Sequence, residues 1–324
     1  MRAIRLHEFG PPENLVLDEL PDLHPAAGEV RIAVSASGVH LIDTSLRRGE
    51  TGGPMPAQPE LPTIPGREVA GVVDELGDGV DPALLGRRMV AHLGLVPGGY
   101  AEQAVTAVGN LIPIPDGVAE DEAVALVGTG RTAAAILEEA AITATDVVLI
   151  PAAAGGIGWL AVQAAKNAGA TVIAAARGEE KLARLQELGA DQVVDYSQPG
   201  WAEQVGRKAT VLLDGVGGDI GRAAMKQLAP GGRMVMFGYS AGAPTELTTA
   251  DIVEGGLTVS WSLGPKMFAR PGGIRGVAEE AVARGGRGEW RPLTTTYPLA
   301  DAARAHRDLE TRRTVGKVVL LAGA

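Results

Sequence analysis

The stretch VVLIPAAAGGIG at residues 147–158 joins a short apolar run to a turn that holds three glycines. It continues as WLAVQAAKNAG at residues 159–169 and ATVIAAA at residues 170–176. The run of valine, leucine and isoleucine suits a strand that is buried on both faces. The segment after the turn is rich in strong helix formers and has Gly169 where a C-cap glycine belongs. The order strand, glycine turn, helix, strand predicts a βαβ unit.

The glycine turn of this unit predicts a dinucleotide site. Its spacing is Ala152-x-x-Gly155-x-x-Gly158 rather than the common G-x-G-x-x-G, and a bare match would mean little. Between a buried strand and a helix, however, such glycines let backbone N–H groups approach a pyrophosphate where the helix dipole favours an anion. The alternative is a membrane span over residues 147–165. It is disfavoured because Pro151 and three glycines interrupt the apolar run.

The end of the second strand bears on which dinucleotide binds. A site for NAD places Asp or Glu about 20 residues after the glycines, where it holds the ribose 2′-hydroxyl. Here Arg177 follows the strand and Lys181 comes one helical turn later. Cationic side chains suit a 2′-phosphate, which favours NADPH as the cofactor. Glu179 and Glu180 keep the alternative open, an ordinary solvated helix start that does not select NADPH over NADH.

Length and composition narrow the class of protein. A chain of 324 residues is expected to hold about two domains, and with 46% hydrophobic residues it can bury a sizeable core. The net charge of −10 argues against nucleic acid as a partner. The lack of cysteine excludes disulfides and thiolate metal sites. The first residues have no signal-peptide core, so we expect a soluble cytoplasmic protein with no membrane partner.

The pattern of apolar residues divides the chain. Residues 1–115 are β-rich, with apolar runs at 29–34 and 69–73 between glycine and proline turns. Residues 49–65 carry five prolines and three glycines, which predicts an exposed loop of the kind that can cover a cleft. Helices are predicted at 121–127 and 131–141. Strands are predicted after the βαβ unit at 192–196, 211–214, 233–237 and 257–263. The last part of the chain is predicted to form a helix from Ile274, a strand at 294–297, a helix at 299–309 and a strand at 316–321.

Two of the predicted strands run directly into glycine, at residues 215–218 and at Gly238. In an open parallel sheet, ligands bind outside the carboxyl ends of the strands. These glycines are therefore where a nicotinamide would lie. The alternative is that they form plain turns between strand and helix.

Several motifs, taken together, resemble the zinc-independent quinone oxidoreductases of the medium-chain dehydrogenase/reductase superfamily. They are ASGVHxxD at 36–43, IPGREVAG at 64–71, GGYAE at 98–102, AAAGGIG at 152–158, LGAD at 188–191 and GKVVL at 316–320. The resemblance implies an α/β protein with a GroES-like domain at residues 1–118 and 270–324. It also implies a Rossmann domain, a doubly wound parallel sheet, at 119–269. The active site would lie in the cleft between the domains, and a homodimer would form through the Rossmann sheet.

The resemblance also implies the residues that hold NADPH and the substrate. The pyrophosphate would be held by Gly155, Gly156 and Ile157, and the adenosine 2′-phosphate and ring by Arg177, Lys181 and Tyr196. The nicotinamide would lie beside Gly217, Phe237, Gly238, Tyr239, Leu263 and Arg312, with Ile42, Ser45 and Thr132 across the cleft. The substrate would contact His40, Ser45 and His92. Tyr196 and Tyr239 could equally be ordinary packing aromatics.

The sequence departs from the pattern of these families around one histidine. The alcohol dehydrogenases of the superfamily bind zinc through a Cys where this chain has His40 and a His where it has Arg67, so no metal site is expected. The quinone oxidoreductases typically have Asn in place of His40 and often Tyr in place of Ser45. His40 is therefore a candidate proton or hydrogen-bond donor to a substrate carbonyl, or else a structural histidine bonded to nearby backbone.

The activity that the resemblance implies is hydride transfer from NADPH to a quinone or to the β-carbon of an α,β-unsaturated carbonyl compound. Donors near the carbonyl oxygen would stabilise its developing charge, while the protein orients the reactants. Two alternatives stay open, a non-catalytic NADPH-binding protein of the lens-crystallin kind and an enoyl-thioester reductase. A short-chain dehydrogenase is excluded because the chain has no Tyr-x-x-x-Lys pair.

Overall fold

The computed structural model describes residues 1–50, 58–94, 97–206, 208–270 and 272–323. Its strands, in chain order, are β1 (Arg2–Leu6), β2 (Leu15–Glu19), β3 (Glu29–Val39), β4 (Glu68–Leu76), β5 (Arg88–His92), β6 (Gln103–Ala107), β7 (Leu111–Pro113), β8 (Val147–Pro151), β9 (Thr171–Ala176), β10 (Gln192–Asp195), β11 (Ala209–Asp214), β12 (Leu228–Met236), β13 (Thr258–Trp261), β14 (Thr294–Pro298) and β15 (Lys317–Leu321).

The α-helices are α1 (Leu41–Arg47), α2 (Glu120–Ala125), α3 (Arg131–Ala140), α4 (Gly156–Asn167), α5 (Glu179–Glu187), α6 (Gly218–Met225), α7 (Thr249–Gly255), α8 (Pro265–Phe268), α9 (Gly273–Gly286) and α10 (Ala302–Glu310). A π-helical segment, Leu126–Gly130, joins α2 to α3. In the part of the chain that is described, no helix is both long and apolar enough to span a bilayer. The predicted loop at residues 49–65 falls partly outside the described residues, because 51–57 are not among them.

The chain divides into two compact units. The first comprises Met1–Thr129, Ala278–Arg287 and Pro292–Ala324, and the second comprises Gly130–Val277 and Gly288–Arg291. The boundaries predicted at residues 118 and 270 stay a prediction, because compactness alone does not show which segments fold together.

The second unit is built on one parallel sheet. Six of the described strands pair in the order β10-β9-β8-β11-β12-β13, every neighbouring pair parallel. Renumbered within the unit, this is the strand order 3-2-1-4-5-6 of a doubly wound dinucleotide-binding sheet. The predicted βαβ unit is confirmed as β8, α4 and β9. The four later strands are also confirmed, although β12 begins at Leu228, five residues before its predicted start.

The apolar run that predicted β8 lies inside this unit. Val148, Leu149 and Ile150 are almost completely buried, and so are Leu160 and Val162 of α4, which covers the sheet. Burying each such side chain stabilises the fold by about 1.5–3 kcal/mol. The turn between strand and helix is tight at Gly158. A Cβ atom there would lie 2.6 Å from both the Ala152 carbonyl oxygen and the Ala153 Cα, so only glycine fits.

The first unit is built on a mostly antiparallel sheet. Its described strands follow the order β14-β15-β3-β4-β5-β7, with β6 also paired to β3 and the hairpin β1-β2 separate. The register sets Val318 opposite Val39, Ser37 opposite Val69, and Glu68 opposite His92. The ends of β3 and β5 and the starts of β4 and β15 therefore meet at one end of this sheet.

A buried polar chain links helix α1 to helix α10 in the first unit. The Tyr100 hydroxyl donates to Asp43 Oδ2 at 3.0 Å and lies 3.1 Å from His306 Nε2. All three side chains are buried, and no partner of His306 Nδ1 is found among the described residues. Since the Tyr100 hydroxyl donates its one hydrogen bond to Asp43, it can only accept from His306, so Nε2 must carry the ring proton of His306.

His306 should make stability depend on pH. Burial lowers the pKa of His306 from 6.5 to about 4. Its folded-state pKa is depressed, so below pH 6.5 the unfolded chain takes up a proton that the folded protein does not. We expect the free energy of unfolding to fall by about 3 kcal/mol between pH 6.5 and pH 4 on account of this group, at about 1.4 kcal/mol per pH unit.

Urea unfolding at pH 7 and at pH 4.5 tests this expectation. The loss of stability on acidification should be smaller in His306→Gln, whose amide does not titrate, than in the wild type. Equal losses in the two proteins would contradict it.

Candidate functional site

The carboxyl edge of the parallel sheet collects most of the residues that were predicted to hold a cofactor. Strands β8, β9, β11 and β12 all end there, at Pro151, Ala176, Asp214 and Met236. Strands β9 and β10 are added to the sheet on one side of β8, and strands β12 and β13 on the far side of β11. The strand order therefore reverses between β8 and β11, and a crevice opens between the ends of these two strands. Such a switch point is the usual place for a ligand of an open α/β sheet.

The glycine turn lies at this crevice and leads into α4. Gly155 is the N-cap residue of α4, with extended backbone angles (φ −81°, ψ 168°) and no capping side chain. Its own N–H donates to the Ala152 carbonyl oxygen at 2.9 Å. The next N–H groups, of Gly156 and Ile157, belong to the first turn, where a helix offers no acceptor, and no acidic side chain occupies that turn. Their positions fit an anionic group such as a pyrophosphate.

The ends of β9 and β10 carry the predicted 2′-phosphate residues. Arg177 is exposed, and no hydrogen bond or ion pair of its guanidinium is found among the described residues. Lys181 lies in the first turn of α5. The Gly178 N–H donates to Asp195 Oδ2 at 3.2 Å, which fixes the turn after Arg177. Although burial opposes it, hydrogen bonds from Ser197 and Gly178 lower the pKa of Asp195.

Tyr196 follows Asp195 at the same edge of the sheet. Its ring packs edge-on against Trp201, with the ring centroids 6.3 Å apart and the planes at 67°. The side chain is only partly buried, so one part of it packs and another part faces solvent. The two interpretations of Tyr196, a packing aromatic and a cofactor contact, are therefore compatible.

The predicted nicotinamide residues follow the ends of β11, β12 and β13. The Phe237 N–H donates to the Asp214 carbonyl oxygen at 2.9 Å, and the Phe237 ring covers Gly215 so closely that a Cβ atom there would lie 2.3 Å from it. Gly217, the N-cap of α6, is also closely packed: a Cβ atom there would lie 2.3 Å from the Ala243 carbonyl oxygen and 2.8 Å from Tyr239 Cβ. Gly238 separates Phe237 from Tyr239, Leu263 follows β13, and Thr132 is in the first turn of α3.

Asp214 organises the turn after β11. Its carboxylate is buried and accepts from the N–H groups of Val216 and Gly217, each at 3.0 Å, and from the Thr245 hydroxyl at 2.5 Å. These bonds shape the backbone on which the predicted nicotinamide contacts depend. Asp214 was not predicted as a site residue, although a carboxylate at the end of an apolar strand was a visible signal.

The remaining predicted residues belong to the first unit. Ile42 and Ser45 lie on α1, where the Ser45 hydroxyl accepts from Arg48 at 3.0 Å. Arg312 follows α10, is exposed and has a positive φ of 62°. His92 ends β5, and its Nδ1 accepts from the Gly94 N–H at 3.0 Å.

His40 lies at the N-cap of α1 and contacts two charged side chains from distant parts of the sequence. Its Nε2 is 2.6 Å from Glu68 Oε1 and 2.8 Å from Lys317 Nζ. Lys317 Nζ also donates to Glu68 Oε2 at 3.1 Å. We call these three residues the ionic triad. Its contacts run between side chains, so the expected alternative of a histidine bonded to nearby backbone does not describe the His40 ring.

The ionic triad is buried except at His40. The exposed fraction of the side chain is 0% for Glu68, 4% for Lys317 and 27% for His40. Glycines make room for the carboxylate, because a Cβ at Gly128 or Gly38 would lie only 1.5 or 2.5 Å from a Glu68 oxygen. Burial raises the pKa of Glu68, but the charges of His40, when it is protonated, and of Lys317 outweigh it and hold the pKa of Glu68 well below its usual range. The Lys317 ammonium, 3.1 Å from Glu68 Oε2, favours the carboxylate form of Glu68 whether or not His40 is protonated.

Neither Glu68 nor Lys317 was predicted as a site residue. Both lie inside motifs that carried the resemblance, IPGREVAG and GKVVL, but they are 249 residues apart in sequence, so their contact could not be predicted. A charged residue at the start of an otherwise apolar strand was the available signal. Among the residues that the structure describes, no group of three or more His, Asp or Glu side chains is arranged to hold a metal ion.

Comparisons with known proteins agree with this architecture. A family model described as an alcohol dehydrogenase GroES-like domain matches residues 26–116, and one described as a zinc-binding dehydrogenase matches residues 156–279. The chain is 32% identical to a quinone oxidoreductase of Pseudomonas aeruginosa over 99% of both chains. It is 30% identical to a 2-haloacrylate reductase of a Burkholderia species over 98% of both.

Solved structures show the same likeness. An NAD-dependent alcohol dehydrogenase has a TM-score of 0.88 at 31% identity, with all of both chains covered. The Escherichia coli quinone oxidoreductase complexed with NADPH has a TM-score of 0.85 at 29% identity, covering 99% of this chain and 100% of that one. The predicted fold class, a GroES-like domain with a doubly wound Rossmann sheet, is confirmed.

Proposed function

Because this chain belongs to the quinone oxidoreductase family of the medium-chain dehydrogenase/reductase superfamily, we propose that it is an NADPH-dependent reductase of quinones or α,β-unsaturated carbonyl compounds. The observation that carries the proposal is the carboxyl edge of the parallel sheet. There the first-turn N–H groups of α4 and Arg177, whose guanidinium has no ion pair among the described residues, follow the ends of neighbouring strands. A dinucleotide with a 2′-phosphate needs both an anion-binding helix start and a cation.

The residues present fit NADPH. Gly156 and Ile157 would bind the pyrophosphate through backbone N–H groups, and Arg177 and Lys181 would bind the 2′-phosphate. The turns held by Asp214 and covered by Phe237 would orient the nicotinamide. When bound, NADPH supplies the hydride. The similar structures include a quinone oxidoreductase complexed with NADPH and an NAD-dependent alcohol dehydrogenase, so the choice of cofactor rests on Arg177.

The substrate is proposed to bind at the end of the first unit's sheet where His40 reaches the surface. Its carbonyl oxygen gains negative charge as the carbon accepts hydride, and hydrogen-bond donors at that oxygen lower the barrier. His40, with Ser45 on the following helix turn and His92 on β5, supplies polar groups there. The proposed reaction uses no zinc, because the guanidinium of Arg67 is not a metal ligand and the ionic triad already provides a buried cation beside Glu68.

A substrate screen tests the proposal. Purified protein should oxidise NADPH in the presence of simple quinones or enones, and faster than it oxidises NADH. Tight NADPH binding without turnover of any acceptor would favour the non-catalytic alternative. Turnover that requires acyl thioesters would favour the enoyl-thioester reductase. The 2-haloacrylate reductase among the relatives favours the inclusion of α,β-unsaturated acids in the panel.

We also propose that the protein is a homodimer joined at β13. This strand ends the sheet order, so one of its edges has no neighbour among the described strands. Large apolar side chains are exposed on this strand and on α7, the helix that precedes it in sequence. The exposed fraction is 38% for Trp261, 38% for Ile252 and 72% for Val253. Pairing of two such edges would continue the sheet and cover these side chains.

Charged substitutions at this edge should separate the dimer. We expect Trp261→Lys combined with Val253→Asp to halve the mass measured by light scattering after size exclusion, while NADPH binding persists. Leu85→Lys is the matched control, since Leu85 is 55% exposed but lies in the first unit. A wild-type monomer, or a double variant of unchanged mass, would contradict the proposed interface.

A further inference from the structure

The ionic triad contains one buried atom without a hydrogen bond: no partner of Glu68 Oε1 is found among the described residues. Lys317 as an ammonium only donates, and Glu68 as a carboxylate only accepts. A single atom, His40 Nε2, lies within bonding distance of both, at 2.8 Å from Lys317 Nζ and 2.6 Å from Glu68 Oε1. If Nε2 is bare it accepts from Lys317. If Nε2 carries a proton it donates to Glu68. The triad thus has two hydrogen-bonded states that differ by the position of one proton.

We propose that the triad is a proton relay in which Lys317 reprotonates His40 while His40 protonates the reduced substrate. The inference rests on the proposed reduction and names its proton source. Before reaction, Lys317 is an ammonium and His40 carries its ring proton on Nδ1. As the carbon of the substrate receives hydride, its oxygen takes the Nδ1 proton. Nε2 takes a proton from Lys317, which becomes an amine, and the new Nε2–H donates to Glu68.

This sequence of transfers balances. The substrate gains one hydride and one proton, the cofactor loses the hydride, and the triad loses one proton while Glu68 stays ionised throughout. A proton from solvent returns to Nδ1, and the Nε2 proton then moves back to Lys317. The buried lysine is reset through the imidazole and needs no water of its own. An ammonium can protonate only a strongly basic oxygen, and a carbonyl oxygen becomes one when its conjugated carbon accepts hydride.

The burial of the triad matches these roles. Only His40 has appreciable exposure, and no hydrogen bond of its Nδ1 is found among the described residues. Its backbone N–H is held by Asp43 Oδ2 at 2.8 Å, which fixes the ring at the start of α1. Glu68 is the anchor, because its Oε1, which has no hydrogen-bond partner among the described residues, accepts a hydrogen bond once Nε2 carries a proton.

The charged groups around the triad leave Lys317 as its proton donor. Arg67 precedes β4, and His92 of β5 lies opposite Glu68 in the sheet, where its Nδ1 accepts from the Gly94 N–H. The three carboxylates of α2 have other partners: Glu120 pairs with Arg88, Asp121 accepts from the Thr294 hydroxyl and Glu122 accepts from the Ala119 N–H. The segment after α2 presents Gly128 to the carboxylate.

The relay predicts a definite tautomer. In the uniformly ¹⁵N-labelled protein, the imidazole signals of His40, assigned by their loss in His40→Asn, should show a protonated Nδ1 and a bare Nε2 near neutral pH. In Lys317→Met, Nε2 should carry a proton bonded to Glu68. A wild-type Nε2 that already carries a proton would overturn the relay, whatever the protein's activity.

Kinetics provide the second readout. Lys317→Met should lower kcat about 100-fold, within the usual range for loss of general acid catalysis, and leave the Kd for NADPH unchanged. The solvent deuterium isotope effect on turnover should increase in the variant, because proton transfer becomes rate-limiting. Lys166→Met is the matched control, since Lys166 pairs with Asp191 at the surface of the second unit and should keep full kcat.

A second variant keeps the relay testable if Lys317→Met does not fold. If Lys317→Met proves too unstable, Glu68→Gln combined with Lys317→Met leaves no buried charge and should show the same loss of kcat. Full kcat in either variant would overturn the relay while the proposed function stands. Failure of the wild type to reduce any acceptor would overturn the proposed function, and the tautomer of His40 would still be read separately.

Discussion

Replacing Arg177 with alanine is expected to raise the KM for NADPH about 10- to 100-fold and to leave the KM for NADH unchanged. A hydrogen bond to a charged group contributes about 1.5–3 kcal/mol, and each 1.4 kcal/mol is a factor of ten. Arg177 is exposed at the end of β9, and the structure shows no other use for its guanidinium in the described residues. Its charge is therefore free to bind a phosphate that only NADPH carries.

Arg184→Ala is the matched control for this prediction. Arg184 lies on the same helix as Lys181 and pairs with Glu180 at 3.3 Å, one turn away from the strand end. Steady-state kinetics with both cofactors should show no change in it. Equal losses for NADPH and NADH in Arg177→Ala would contradict the phosphate-binding role and leave the glycine turn as the main cofactor contact.

Breaking the buried ion pair of the triad is expected to destabilise the protein by about 3–5 kcal/mol. Lys317→Met leaves the fully buried carboxylate of Glu68 without its ammonium partner, and an uncompensated buried charge is costly. Glu68→Gln combined with Lys317→Met removes both charges. It should recover most of the loss, because replacing a whole buried pair is often nearly neutral. Urea unfolding measures both variants.

An exposed ion pair supplies the comparison. Lys166 Nζ lies 2.8 Å from Asp191, but both side chains are at least one third exposed, so Lys166→Met should cost less than about 1 kcal/mol. If Lys317→Met were as mild as Lys166→Met, the triad would not be the buried charge cluster that the relay requires. If the double variant were less stable than the single one, the two charges would act independently.

The local parts of the fold could be predicted from the sequence. The βαβ unit was predictable because the signals for β8, α4 and β9 are local in sequence. They are an apolar run, a glycine turn and a C-cap glycine. Element ends were harder. Strand β3 continues to Val39, beyond its predicted end at residue 34, because β6 covers its first half and β15 its second.

The parts that depend on distant contacts could not be predicted in this way. The π-helical segment at Leu126–Gly130 has no simple periodic signal, and the predicted helix at 121–127 runs into it. The triad joins residues 40, 68 and 317, which meet only after three strands pair in register. The sequence therefore supplied His40 as a candidate, and the fold supplied its partners.

The most direct test of hydride transfer from NADPH to the substrate uses deuterium to label the transferred hydrogen. Protein incubated with NADPH deuterated at C4 of the nicotinamide and with an enone should yield a product that carries deuterium on the β-carbon, measured by mass spectrometry and NMR. In deuterated solvent with unlabelled NADPH, that position should stay free of deuterium. Deuterium that reached the β-carbon from solvent, or a product formed without oxidation of NADPH, would contradict direct hydride transfer.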